Sequence, residues 1–388
     1  MGGGKALPGE DGPSFSGQFL YQDESPVVVL PATYRTAERQ IREALRLLDY
    51  RPQRKKILLK PNLVAIPRWL PLGGIPRAAI TDVRFIEALL QVFDGYEVTI
   101  ADGALAWADT NEVLERSGVA ALARRYGAQV ADLNHVERFE VPWARGMLRL
   151  PALLRTHEYI NVPKLKTHVQ AGVTLGCKNQ KGLLASADKI RFHRELDLHD
   201  SIRALADVVQ PALTVVDGIV GLDGSGPTLG RSRGPHMLVA GRDMRAVDVA
   251  CCDLISMPLE RVRHLTRVPY RTLGSAVEEM RLRFDAPTEM VIANVHIHVV
   301  QETCSRCLQS MHDGLATFWL SPYHVLRGTW SCILNRTDVI TGQDREIPSS
   351  ARGRLVCYGE CTHKLAKRHD LPWIPGCPPL ASEFLKMF

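Results

Sequence analysis

Short apolar runs alternate with segments of helical periodicity along most of the chain. The runs have the length of buried strands and occupy residues 27–30, 57–60, 98–101, 130–133, 159–162, 213–216 and 237–240. The segments between them show helical patterns at residues 36–48, 81–93, 111–126, 188–207 and 246–257. This alternation predicts an α/β fold with a mostly parallel, doubly wound sheet flanked by helices.

The pattern changes near both ends of the chain. Residues 1–20 are rich in Gly, Pro and Ser and are predicted to be disordered. Residues 21–287 form the predicted α/β domain, whose last part, residues 260–288, is charged and predicted to be helical. Residues 288–388 contain six of the nine cysteines and are predicted to form a small Cys-rich C-terminal domain.

Composition excludes several classes of protein. The 388 residues are 45% hydrophobic and 23% charged, with a net charge of +6, as in ordinary globular proteins. No block of Lys and Arg indicates nucleic-acid binding, and no apolar run is long enough for a signal peptide or a membrane span. We therefore expect a cytoplasmic protein with no nucleic-acid or membrane partner, whose cysteines are free, catalytic or metal-bound. A redox partner protein and a homodimer are further expectations.

The most informative stretch is residues 161–182, NVPKLKTHVQAGVTLGCKNQKG. It follows a predicted strand and is interpreted as a loop or helix entry, not a core element. Its lysines and histidine repel one another unless an anion lies among them, although a solvated basic surface is the alternative. Since α/β sheets bind ligands at the carboxyl ends of their strands, we expect an anionic small molecule here.

Candidate site residues come from this stretch and from the ends of other strands. A turn residue or a histidine bonded to backbone is the alternative role for several of them. The candidate catalytic residues are His168, Lys178 and Lys166. The candidate substrate-binding residues are Lys60, Asn62, Asp102, Lys164, Asn179 and Asp217.

Several motifs in order resemble the "domain of unknown function 362" family. N-V-P-K-L-K-T-H followed by G-V-T-L-G-x-K-N-x-x-G, within residues 161–182, is similar to its signature. ILLKPNLV at residues 57–64 resembles its first strand, and TVVDG at residues 214–218 a later one. The resemblance covers residues 25–260 and implies a fold and a site, but no reaction.

A second, weaker resemblance is to the nickel-pincer lactate racemase family. His168-x-x-Ala171-Gly172, then Gly176 and Lys178, is similar to a motif of that family. The resemblance implies that Lys178 anchors a nucleotide cofactor and that His168 acts as an acid/base or metal ligand. Clear counterparts of the family's other histidines are lacking, so the pincer cofactor is not predicted.

The C-terminal cysteines predict a metal centre. Cys304 and Cys307 form a C-x-x-C pair, and Cys361 and Cys377 lie in Gly- and Pro-containing turns. Four thiolates complete the coordination of a [4Fe–4S] cluster, and similar tails occur in some members of the first family. The alternative is structural zinc on the same four thiolates. Cys357 is expected to face inward from a strand, and Cys332 is left unassigned.

Three functions remain open from the sequence. The first is an iron–sulfur redox enzyme, an oxidoreductase that acts on an anionic small molecule bound along residues 164–181. The second is a racemase- or isomerase-like enzyme with a structural metal tail. The third is a non-catalytic metal-binding assembly protein.

Overall fold

The computed structural model describes most of the chain. The described residues are 24–64, 77–104, 109–194, 196–228, 230–292, 294–299, 307–308, 310–311, 314, 335–342 and 346–385. The strands are β1 (Ser25–Pro31), β2 (Lys56–Pro61), β3 (Glu97–Asp102), β4 (Gln129–Asp132), β5 (Arg138–Trp143), β6 (Gly146–Pro151), β7 (Glu158–Val162), β8 (Lys164–His168), β9 (Gly172–Thr174), β10 (Leu213–Asp223), β11 (Arg231–Arg233), β12 (Met237–Gly241), β13 (Tyr270–Gly274), β14 (Glu289–Ile292), β15 (Val295–His298), β16 (Thr337–Thr341), β17 (Arg354–Tyr358) and β18 (Trp373–Ile374).

Helices connect most of these strands. They are α1 (Ala37–Leu47), α2 (Val83–Val92), α3 (Thr110–Arg116), α4 (Val119–Tyr126), α5 (Leu153–Thr156), α6 (Gly176–Asn179), α7 (Ser186–Arg194), α8 (Leu198–Val208), α9 (Met244–Leu254), α10 (Val277–Met280), α11 (His363–His369) and α12 (Ala381–Leu385). Short 3₁₀ helices span Arg77–Ala79, Gln180–Leu183, Leu259–Arg261 and Glu360–Thr362.

The main sheet confirms the predicted fold class. Its strand order is β13-β1-β12-β10-β7-β2-β3-β4, with β8 and β11 added beside β10 and β9 beside β8. Only β12 runs antiparallel to its neighbours β1 and β10 along this path, and the other pairs are parallel. The sheet is therefore mostly parallel.

Helices cover both faces of the sheet because alternate strand residues point in opposite directions. On β2, Ile57 and Leu59 join the core cluster that contains Ile41 of α1 and Phe85 of α2. Leu58 points the other way, into a cluster formed partly by α8. Because these strands are buried on both faces, their sequences are continuous apolar runs and do not alternate.

The central stretch corrects one prediction. Residues 164–168 form β8, all five of which are buried, so the interpretation of this stretch as a loop or helix entry outside the core was wrong. The error has a physical cause, because two of its lysines are buried with hydrogen-bond acceptors that lie far away in the sequence. From the sequence pattern alone, lysines are expected to lie on the surface.

Helix boundaries differ from the pattern in three places. Residues 260–288 were predicted to be helical, but in the structure they contain β13 and only the short α10. The predicted helix at 111–126 breaks at Gly118, whose φ of +84° a longer helix does not tolerate. The segment 188–207 divides into α7 and α8, with Asp197 capping α8 by accepting from the Asp200 amide at 3.0 Å.

A second sheet follows the first. Its order is β14-β15-β16-β17-β18, with an antiparallel hairpin at β14-β15 and parallel pairs beyond it. A separate apolar cluster covers it and includes Val295, Val339, Tyr358 and Phe384. The predicted disorder of residues 1–20 lies outside the described residues, and the predicted boundary at residue 287 remains a prediction.

Candidate functional site

The carboxyl ends of the parallel strands meet where the strand order reverses. From β2 the chain adds β3 and β4 on one side, whereas β7 and β10 extend the sheet on the other. Pro61 ends β2, Asp102 ends β3 and Val162 ends β7. Such a reversal leaves a crevice at the carboxyl edge, where α/β sheets bind ligands.

Lys60 and Asp102 form a buried ion pair in this crevice. Their charged atoms are 2.6 Å apart, and their side chains are 1% and 2% exposed. The Asp102 carboxylate also accepts from the backbone amides of Leu63 and Gly103 at 2.8 and 2.9 Å. Burial lowers the pKa of Lys60, and the Asp102 charge opposes that shift. A Cβ at Gly182 would lie 2.3 Å from Asp102 Oδ1, so glycine is required beside the pair.

Asn179 joins three elements of the crevice. Its Oδ1 accepts from Lys60 Nζ and from Asn62 Nδ2, both at 3.1 Å, and its Nδ2 donates to Asn161 Oδ1 at 2.8 Å. Among the residues that the structure describes, none makes a hydrogen bond to the buried Oδ1 atom of Asn62. The structure thus brings Lys60, Asn62, Asp102 and Asn179 together as one polar cluster and leaves one acceptor unsatisfied.

Asp248 of α9 fixes the start of α6. Its two carboxylate oxygens accept from the backbone amides of Gly176 and Cys177 at 2.7 and 2.8 Å. Burial raises the pKa of Asp248 to about 7, although these bonds favour the charged form. Asp248 belongs to a helix entry that resembles the family motif, but it was not among the candidate site residues, because its partners lie some 70 residues away.

Lys164 and Asp217 form a second buried pair, farther along the sheet. The Nζ–Oδ2 distance is 2.7 Å, and both side chains are fully buried. Tyr34 approaches Lys164 at 3.3 Å, and the Asp82 backbone amide donates to Asp217 at 2.9 Å. Burial and the Asp217 charge raise the pKa of the Tyr34 hydroxyl. Lys164 is therefore neutralised within the protein, and its contacts are those of a residue that holds β8 to β10.

The positive charges of Lys166 and Lys178 are compensated much less by neighbouring groups. Lys166 Nζ donates to the Ala79 carbonyl at 2.6 Å, and burial together with the charges of Lys178 and Lys164 lowers its pKa well below the usual value. Burial and Lys60 lower the pKa of Lys178 to about 8. Within the described ranges, the Lys178 ammonium has no hydrogen-bond or ion-pair partner, and its side chain is partly exposed.

Two further lysines surround this point. Lys189 of α7 donates to the Gly103 and Ala104 carbonyls, both at 2.9 Å, and to Asn134 at 2.7 Å. Burial lowers its pKa to about 7, partly offset by Asp102. The pKa of Lys181 is also well below its usual value, through burial and the charges of Lys178 and Lys189. Sequence analysis missed Lys189, because nothing in a helical pattern signals that a lysine turns inward.

His168 ends β8 and links the crevice to the C-terminal part of the chain. Its Nδ1 accepts from the backbone amides of Gln170 and Ala171 at 3.1 and 3.3 Å, so the neutral ring carries its proton on Nε2. The next residue, Val169, packs against the apolar cluster that contains Cys307. The structure therefore joins the site stretch to the Cys-rich region through adjacent residues.

The described cysteines of that region come from segments that meet. A Cβ at Gly359 would lie 3.1 Å from Cys307 Sγ and 3.8 Å from the Gly376 carbonyl. The turns before Cys361 and Cys377 therefore converge on Cys307, and both of these later cysteines are exposed. Cys304 and Cys332 lie outside the described residues.

Cys357 behaves as predicted. It is fully buried in β17, and burial raises the pKa of its thiol to about 11. Its core cluster includes Ile340 and Leu365, so the side chain faces away from the point where the other cysteines converge. This arrangement makes it a core residue of the second sheet.

A second group of metal-binding residue types lies in the same sheet. Among the described His, Cys, Asp and Glu side chains, one set of three has donor atoms within 4.8 Å of one another, formed by Glu289, His298 and Asp338; the thiols of Cys307, Cys361 and Cys377 form no set this close. Asp338 is bonded to His298 at 2.7 Å and to Arg336 at 2.7 and 3.0 Å. The positive charge of Arg336 neutralises Asp338, as a bound metal ion would. We therefore interpret the group as a structural ion-pair network.

The fold and the edge cluster define an α/β protein with a buried, lysine-rich polar site at the carboxyl ends of its strands. A family model described as Domain of unknown function (DUF362) matches residues 57–253, just over half of the chain. The protein belongs to this family, which confirms the membership predicted from the sequence.

One curated relative is a thylakoid-associated protein of Synechocystis sp. It is 25% identical over 248 residues, and the match covers 62% of this chain and 75% of the relative. No solved structure gives a significant match. None of the helices in the described ranges has the length and apolar composition needed to cross a bilayer.

Proposed function

We propose that this protein is an iron–sulfur redox enzyme that acts on an anionic small molecule bound at the carboxyl edge of the main sheet. The observation that carries the proposal is the contact between the end of the site strand and the apolar cluster of the second sheet. Val169 follows the site strand directly and packs on this cluster, which contains Cys307. A metal centre at the cysteines would therefore belong to the sheet on which the end of the strand that carries Lys164 and Lys166 packs.

Charge supports the anionic character of the substrate. Asp102 and Asp217 neutralise Lys60 and Lys164, but no carboxylate pairs with Lys178 within the described residues. A cation near other cations in a partly desolvated crevice is stabilised by a bound carboxylate or phosphate. Lys178 is the proposed anion contact. His168 and Lys166 are the proposed proton-transfer groups, as predicted from the sequence.

The neighbouring positions of three described cysteines support the proposed cluster. Cys307, Cys361 and Cys377 come from segments that meet, since a Cβ at Gly359 would lie 3.1 Å from Cys307 Sγ and 3.8 Å from the Gly376 carbonyl. These three residues, with Cys304, would hold a [4Fe–4S] cluster. When bound, the cluster would supply single electrons to the substrate site, and a redox partner protein would reduce the cluster again. Zinc on the same thiolates is the alternative outcome.

Metal analysis of anaerobically purified protein tests the proposal. We expect iron and acid-labile sulfide, with broad absorption near about 400 nm. Cys361→Ser and Cys377→Ser should lose iron, because both are proposed ligands and are exposed. Cys357→Ala is the matched control in the same domain and should keep its iron. Colourless protein with stoichiometric zinc would refute the redox role.

Location is a separate proposal. The sequence predicts a cytoplasmic protein, whereas the printed name of the Synechocystis relative describes association with thylakoids. We propose a cytoplasmic protein that does not span a membrane. Fractionation of the native host should recover it without detergent, and recovery only in detergent would refute this proposal.

A further inference from the structure

Helix α7 is held to the main sheet by few buried side chains. Among its described side chains, the two that are buried are Lys189 and Phe192, which are 7% and 1% exposed. They are three residues apart and therefore lie on the same face of the helix. Since a lysine is rarely buried unless it is paired, its contacts show what holds α7 in place.

The Lys189 ammonium binds three oxygens at the carboxyl ends of two strands. Its Nζ donates to the carbonyls of Gly103 and Ala104, which follow β3, both at 2.9 Å. It also donates to Oδ1 of Asn134, which follows β4, at 2.7 Å. An ammonium has three N–H donors, and these contacts use all of them. Lys189 therefore ties α7 to the edge of the sheet where the polar crevice lies.

Two glycines bring this contact next to the Lys60–Asp102 pair. A Cβ at Gly103 would lie 2.5 Å from Lys189 Nζ and 2.6 Å from the Gly182 carbonyl oxygen. A Cβ at Gly182 would in turn lie 2.5 Å from Lys60 Nζ. The Lys189 ammonium is therefore packed against the backbone that borders the proposed site.

Phe192 connects α7 to the cations of the site. Its ring stacks on Trp143 of β5 with centroids 5.3 Å apart, and the Lys181 ammonium lies 5.9 Å from its centroid. That distance is within the range of a cation–π contact. Lys181 follows Lys178 by three residues along α6 and the 3₁₀ helix Gln180–Leu183, so the two lysines lie on the same side of this segment. A shift of α7 would therefore remove a contact that holds Lys181 beside the proposed anion contact.

We propose that Lys189 is a positioning residue for the anion site. Its ammonium fixes α7 on the carboxyl edge of the sheet, and α7 in turn fixes Lys181 beside Lys178 through the ring of Phe192. This inference rests on the proposed anion site at Lys178 and adds a residue that shapes the site without touching the ligand.

Hydrogen exchange tests the docking of α7. Lys189→Ala leaves three oxygens without their donor, so the α7 amides should exchange at least about tenfold faster, the effect of losing one hydrogen bond to a charged group. Lys56→Ala is the matched control, because it removes the same charge at the amino end of β2, where Lys56 is exposed. The α9 amides should keep their exchange rate in both variants, which separates undocking of α7 from loss of the whole fold. Unchanged exchange in α7 would overturn the inference.

Sulfate binding tests the positioning role. Calorimetric titration at pH 6, below the pKa of Lys189 of about 7, should show binding roughly tenfold weaker in Lys189→Ala than in the native protein or in Lys56→Ala. Propylammonium has the atoms that Lys189→Ala lacks and should restore both the affinity and the slow exchange. Tetramethylammonium has no N–H donor and should restore neither. Equal effects of the two cations, including no rescue by either, would overturn the role of the three hydrogen bonds.

The outcomes separate this inference from the proposed function. Sulfate binding that Lys178→Gln abolishes but Lys189→Ala leaves unchanged would overturn the role of Lys189 alone. Absence of any anion binding by the native protein would overturn the anion site and the positioning role together. Weaker binding and faster α7 exchange in Lys189→Ala, both reversed by propylammonium, support the inference.

Discussion

The buried pair of Lys60 and Asp102 gives the sharpest test of how this site is built. Asp102→Asn removes the carboxylate charge at nearly constant volume. Lys60 would keep three neutral acceptors, the oxygens of Pro61 and Asn179, both at 3.1 Å, and the amide oxygen of the new asparagine, but no negative charge. Removing one partner of a buried ion pair leaves an uncompensated charge and costs about 3–5 kcal/mol. We expect a loss of this size in the free energy of unfolding, from urea denaturation followed by circular dichroism.

Two further variants separate charge from packing. Replacing both partners by apolar residues, in Lys60→Met with Asp102→Leu, should recover much of the loss, because no buried charge remains. Glu115→Gln breaks the exposed Glu115–Arg124 pair and should leave the unfolding midpoint unchanged. The reasoning fails if Asp102→Asn behaves like Glu115→Gln, or if the apolar double variant is less stable than the single one.

Three other variants test the remaining features of the structure. The affinity of Lys178→Arg for sulfate should fall less from pH 7 to 9 than that of the native protein, because the pKa of Lys178 is about 8 and arginine stays charged. Gly182→Ala should lower the melting temperature more than Gly224→Ala, because its Cβ would clash with Asp102 and Lys60, whereas at Gly224 the cost is limited to the backbone strain of its φ of +79°; equal losses would contradict the steric argument. Asp338→Asn should destabilise most at neutral pH, since the depressed pKa of Asp338 gives stability above about pH 3.8 that is lost as pH falls through the folded-state value. A difference in melting temperature that does not shrink in acid would contradict that assignment.

The parallel core of the fold was readable from the sequence because its strands are buried on both faces. Runs such as residues 57–60 and 213–216 cannot alternate, and the helical segments between them repeat at the correct period. Helix capping also depends on residues that are close in sequence. Asp82, for example, accepts from the Arg84 amide at 2.9 Å and begins α2. The single helices predicted at 111–126 and 188–207 were wrong, because one glycine and one capping residue each divide a continuous pattern into two helices.

The site was readable only in part, since the position of a polar residue at a strand end is local but its partner is not. The strand-end rule selected Lys60 and Asp102 separately, and the structure shows them as an ion pair. The sequence analysis also selected Lys164 and Asp217 separately, and the structure pairs them across 53 residues of sequence; their role in ligand binding remains a prediction.

The depressed pKa values around Lys178 have a consequence for ligand binding. Burial lowers the pKa of Lys189 to about 7 and of Lys178 to about 8, so both are partly neutral near pH 8. A bound anion favours the charged ammonium, so binding must raise these pKa values and take up protons. We therefore expect the binding enthalpy of sulfate at pH 8 to vary with the ionisation enthalpy of the buffer in calorimetry. Lys178→Arg supplies the control, because arginine is already charged and should reduce the uptake. Binding without proton uptake would mean that the lysines are fully charged in the free protein, and that burial does not set their charge.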